Sequence, residues 1–177
     1  MLLSLLATAA LIGCGGGSGL FATVPPPVEF VPTLIPGLVE VPAEGTYSGT
    51  LTKERVTFDY TPGVNGAQGT WTVESAVSLG APTAAQAIVA SDGTVRLKET
   101  SSTRNLFVGN FEVLEKPSIY GATVANLVGV DGAKGTYPYL LQEGTPRRLT
   151  LMPRVNIQTL SSKRIRYDRY TFVLTQD

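Results

Sequence analysis

Histidine is absent from this 177-residue chain, and cysteine occurs once, at Cys14. Those two gaps exclude Ser-His and Cys-His nucleophilic catalysis, His-ligated zinc, copper or iron, and cysteine-rich metal knuckles. A single thiol also excludes an intrachain disulfide. Net charge is missing too: 14 basic and 14 acidic residues cancel, so no overall field draws the chain to nucleic acid. Carboxylate, Lys or Tyr chemistry remains open, as does an oxygen-ligated calcium or magnesium ion. Spacing supports neither. Glu112 and Glu115 flank Leu114, and Glu54 lies near Asp59, but nothing local perturbs either pair, and spacing alone does not identify hydrolytic carboxylates. The stretches SDGT and VDGAKG lack the repeated Asp or Asn ligands of a calcium loop and read as turns. The expectation is a protein that is not an enzyme and carries no metal or cofactor.

Long apolar runs are also scarce. Leu2 to Ile12 is the most continuous, broken only by Ser4 and Thr8; its eleven residues fall short of the roughly 20 a membrane-spanning helix needs. The length suits the apolar core of a secretory signal. It ends in Leu11-Ile12-Gly13-Cys14, which resembles the lipobox of bacterial lipoproteins. That resemblance implies a diacylglyceryl group on the Cys14 sulfur, removal of residues 1–13, and acylation of the new amino terminus. Two or three acyl chains hold a protein on a bilayer where one, at about 0.8 kcal/mol per buried CH2, holds it marginally. Gly15, rather than an aspartate, follows the cysteine, which resembles outer-membrane sorting. No Lys or Arg precedes the run, a departure from the usual charged leader.

Residues 14–19 combine the lipidated cysteine with a flexible Gly-rich spacer. Leu20 to Pro42 follows, with six of the chain's twelve prolines. Such density forbids a helix interior or central strand and favours extended geometry, reaching roughly 70 Å. The arm carries Phe21, Phe30, Leu34, Ile35 and many valines, with Glu29 and Glu40 its only charges. Apolar surface of that extent lies against something: its own domain, or a protein partner or second subunit taken up along a groove or sheet edge.

From Ala43 to Asp177 the apolar period is two. Runs such as Tyr47 and Leu51; Val56, Phe58 and Tyr60; Trp71, Val73 and Val77; and Tyr170, Phe172 and Leu174 alternate with polar residues. Turn residues separate most of them, so the pattern predicts an all-β domain of about nine to eleven strands, closed as an antiparallel β-barrel or folded as a β-sandwich. Pro82 to Ala90 is the one stretch whose alanines also suit a helix. Gly69-Thr70-Trp71 resembles the Gly-x-Trp of lipocalins, which implies a barrel with an apolar ligand pocket. Lipocalins place that motif in their first strand, however, and here it falls later.

Seven of the basic residues, against only Asp168 and Asp177, lie in the last 31 positions, leaving that end +5 and the remainder −5. Within Ser161 to Tyr170, alternation puts Arg164, Arg166 and Asp168 on one face and Ile165, Tyr167 and Arg169 on the other. Arg164, Arg166 and Arg169 are therefore candidate contacts for an anionic partner, with an edge strand guarded by its charges as the plainer reading. Altogether the sequence points to a lipid-anchored lipoprotein of the cell envelope, in the outer membrane. It would serve as a structural or binding accessory subunit of a complex or homo-oligomer; the alternative is a lipocalin-like carrier of an apolar small molecule.

Overall fold

A computed structural model describes residues 41–64, 69–118, 121–142 and 144–177. Cys14, the glycine spacer and the arm as far as Glu40 lie outside these residues. The described chain is all-β, with ten antiparallel strands: β1 (Gly45–Thr61), β2 (Thr70–Ser78), β3 (Thr83–Val89), β4 (Thr94–Glu99), β5 (Phe107–Ser118), β6 (Gly121–Gly129), β7 (Lys134–Gln142), β8 (Arg148–Leu151), β9 (Arg154–Ser161) and β10 (Arg164–Gln176). The stretch Pro82 to Ala90 is a strand rather than a helix. Ala85, Ala87 and Val89 point into the core while Ala84 and Ile88 face solvent, and that period of two overrides alanine's helix propensity.

Eight strands close a barrel in the order β1-β3-β4-β5-β6-β7-β8-β10, and β10 returns to β1. The closing ladder runs from Tyr47 opposite Gln176 to Asp59 opposite Arg164. Only the first half of β1 pairs with β3; its second half, from Glu54 to Thr61, pairs with β2. Likewise β10 pairs with β8 through Phe172–Thr175 and with β9 through Arg164–Arg169. The strands β2 and β3 thus form one interrupted strand alongside β1, broken at Leu79 to Pro82, and β8 and β9 form another, broken at Met152-Pro153. Beyond the short β4 these long strands run on as a four-stranded tongue, β2-β1-β10-β9.

The barrel is filled. Leu51, Leu97, Leu127, Leu149, Leu151, Phe107, Phe172, Tyr47 and Tyr139 are all fully buried in one cluster. β5 and β10 sit opposite each other in the ring of eight, yet Phe107 meets Phe172 at 6.2 Å and Tyr170 at 5.5 Å between ring centroids. Rings in edge contact therefore span the full width of the barrel, with Phe111 and Tyr139 in a further edge contact at 4.8 Å. Two inward positions are glycine because the neighbouring backbone leaves no room: a Cβ on Gly49 would meet the Val173 carbonyl oxygen, and one on Gly109 the Asn126 carbonyl oxygen. Outward positions Arg96, Asn110, Glu112, Lys134, Thr136 and Arg148 are exposed. The wall mixes these polar and charged residues with exposed Ile88, Val108 and Val128, whereas the interior is apolar; charged side chains such as Arg96 and Lys134 are costly on a wall that faces lipid. Among the described residues no helix is long and apolar enough to cross a membrane.

Along β1 the apolar face changes sides. Tyr47 and Leu51 face the barrel interior, whereas Val56 and Phe58, of opposite parity on the same strand, belong to a second cluster with Tyr167, Trp71 and Ile165. The interior-facing row continues into the tongue as Lys53, Arg55, Thr57 and Asp59, opposite Tyr170, Asp168, Arg166 and Arg164.

Candidate functional site

That polar row begins where β1 and β10 leave the barrel, and it builds a charged cap over the mouth. Lys53 Nζ lies 2.6 Å from Glu99 Oε1 on β4, which also accepts the Thr83 hydroxyl at 3.0 Å. The same ammonium sits 5.6 Å from the centre of the Tyr170 ring. One residue pair further out, Arg55 grips Asp168 with both arms of its fork, Nε at 2.8 Å and Nη2 at 3.1 Å. Asp168 is 4 % exposed and takes a third bond, from Asn156 Nδ2 at 2.9 Å. Asn156 has a φ of 54° and is the non-glycine residue with positive φ among the described residues; asparagine tolerates that conformation better than most. Its backbone N–H donates to Asp131 Oδ2 at 3.0 Å, while Asp131 Oδ1 accepts from Ala133 N at 3.0 Å. The turn between β6 and β7 and the start of β9 are thereby tied to the cap.

The electrostatics follow from these bonds. The Arg55 hydrogen bonds hold the Asp168 carboxyl below the ordinary aspartate range against the opposing effect of burial, helped by Asn156. Lys53 does the same for Glu99. Burial pushes the Tyr139 and Tyr170 phenols up. A carboxylate held ionised with its lone pairs filled is a poor base and a poor acid at neutral pH. The cap ties β1, β3, β4, β9 and β10 together. Among the described residues no three His, Cys, Asp or Glu side chains are arranged to hold a metal ion.

The three arginines singled out from sequence lie together in the first part of β10. Arg164 binds Asp59 through two bonds of 2.6 and 2.8 Å and lies 3.7 Å from Glu74. Arg166 donates to Gln158 at 2.6 Å, and Arg169 to Glu54 at 2.6 Å. Each guanidinium thus has an acceptor within the chain, which an anionic partner would have to displace or share. The strand itself is not an edge, because β10 is paired on both sides throughout this stretch. Charges there cannot serve to guard an open ladder. The carboxylates Glu54 and Asp59, neighbours in sequence, serve different arginines, and Glu112 accepts from Asn126 Nδ2 at 2.7 Å. Lys53, Arg55, Glu99, Asn156 and Asp131 were not visible as a group in the sequence. The nearest signal was Asp168, a lone acid within a basic stretch.

Two further features complete the surface. A shallow trough of about 660 Å³ lies on the wall over β5, β6 and β7, beside Asn110, Asn126 and Lys134. Within it Thr136 donates to Asn126 at 2.7 Å. Trp71 stands in β2, outside the closed ring, with its ring 5.1 Å from that of Tyr60. No protein-family model matches the chain, and no curated protein or solved structure matches it either.

Proposed function

We propose that this chain is a non-enzymatic lipoprotein of the cell envelope, held at the outer membrane by lipid on Cys14. In this reading the barrel acts as a structural or binding accessory subunit of a membrane complex or homo-oligomer, engaged through the arm from Leu20 to Pro42. The observation that carries the reading is the contact of Phe107 with Phe172 across the barrel. A carrier of an apolar small molecule needs an interior hollow of some hundreds of cubic ångströms, and here aromatic rings fill that space. Charged residues such as Arg96, Glu112, Lys134 and Arg148 on the outer wall support attachment by an anchor rather than by the barrel. The engagement of Asp168 by Arg55 and Asn156, and of Glu99 Oε1 by Lys53 and Thr83, favours a scaffold over a catalyst.

Two measurements test it. Metabolic labelling with a fatty acid marks the wild-type chain and not Cys14→Ala; label that persists in the variant ends the lipoprotein reading. Deleting residues 20–42 lowers the number of chains or partners in the native assembly, and an unchanged stoichiometry removes the arm from its role.

A further inference from the structure

Among the described residues the tongue leaves two open edges, β2 and β9, at the ends of the strand order. β9 exposes Ile157 and Leu160, but two register breaks against β10 bend its edge, which makes it the poorer template for another strand. β2 has one register break and one charge, Glu74, in nine residues. It also exposes Val73 at 55 % and Val77 at 58 %. The Leu79 N–H donates to Lys53 O, so along the strand Ala76 and Ser78 turn their backbone groups to the open side.

The arm carries the complementary pattern. Between Val28 and Pro42 its prolines stand at 32, 36 and 42, all of one parity. Backbone N–H groups alternate sides along a strand, so every missing donor falls on the same side. The other side keeps a full row at Glu29, Val31, Thr33, Ile35, Gly37, Val39 and Val41. A segment with that pattern can add to a sheet as its outermost strand.

It cannot do so within its own chain. Val41 lies four residues before Gly45, and β2 begins to flank β1 only at Glu54, about 30 Å along the strand. Residues 33–41 would be consumed in bridging that gap. What remains, around Val24 to Pro32, has prolines at 25, 26 and 27, which break both rows of donors. We propose that residues 28–41 of one copy add as an edge strand to β2 of a second copy, joining chains head to tail. This rests on the arm-docking reading above and names its acceptor.

The test follows the full chain, purified in mild detergent, by sedimentation across a dilution series. The wild-type chain self-associates. Val39→Pro, on the donor row, weakens association by about tenfold or more, because a buried ladder acceptor loses its partner. Leu38→Pro, on the open row, changes it by no more than about twofold. Ala76→Pro, which removes a donor from the open edge of β2, weakens it as Val39→Pro does. Equal loss in the two arm variants, or undiminished association of Ala76→Pro, overturns the strand addition while leaving arm docking intact. Unchanged association after deletion of residues 20–42, or a wild-type chain that stays monomeric, overturns both.

Discussion

The barrel and the tongue share two strands, β1 and β10, and the shared strands are held in opposite ways in the two regions. In the barrel, one face of β1 and β10 meets a single aromatic and aliphatic core. In the tongue, that same face carries Arg55 with Asp168 and Asp59 with Arg164, and the apolar residues move to the other side around Val56, Phe58 and Tyr167. Large contiguous burial gives the barrel most of its stability, since each fully buried large side chain contributes about 1.5–3 kcal/mol. The tongue has a five-residue cluster and a row of ion pairs. It is the region expected to open locally before the whole domain unfolds, and among the described residues it is the region left with edges. One ladder therefore joins a rigid body to a more adaptable appendage.

Breaking the barrel should cost most. Phe107→Ala removes the ring that touches both Phe172 and Tyr170, and should cost about 3–5 kcal/mol in denaturant-induced unfolding. Phe58→Ala should cost less, about 3 kcal/mol at the low end of the same range, because the smaller cluster can close around the gap. Its effect should concentrate in faster amide exchange of β2 and the first half of β10; equal global losses would erase the distinction between the regions. Asp168→Ala leaves Arg55 and Asn156 without their shared acceptor and should cost about 1–3 kcal/mol, read in the same unfolding experiment. Acid should act on the cap in the same direction. Asp168 and Glu99 are held below their ordinary values of 3.8 and 4.5, so their contribution is complete above those values and is lost as pH falls through the lower folded ones. The thermal midpoint should stay level from neutrality to about pH 5 and fall below about pH 4. Arg164→Ala comes last. Its exposed pair with Asp59 should shift the midpoint barely measurably, and added salt should abolish the shift.

The sequence made some of this plain and hid the rest for physical reasons. Alternation located the strands because burial on one face imposes a period of two, and the two faces of Ser161 to Tyr170 came out as read. The change of parity between Leu51 and Val56 was visible as well, but it looked like two strands. It marks one strand leaving the barrel, which becomes apparent only when β10 changes parity beside it. Barrel or sandwich could not be decided locally, since closure depends on Tyr47 finding Gln176 at the far end of the chain. The cap was hidden for the same reason: Arg55 and Asp168 stand 113 positions apart, and no local spacing brings them together. Alanine-rich β3 was ambiguous because its small side chains satisfy either period.

The closing ladder also has a mechanical meaning. Because Tyr47 lies opposite Gln176, a pull between the start of β1 and the end of β10 would part their hydrogen bonds one after another, at low force. A pull on the chain before Val41 against a load borne by the tongue would instead slide β1 along β10, straining the whole row at once. The same bonds would then behave as a zipper in one direction and as a tether in the other.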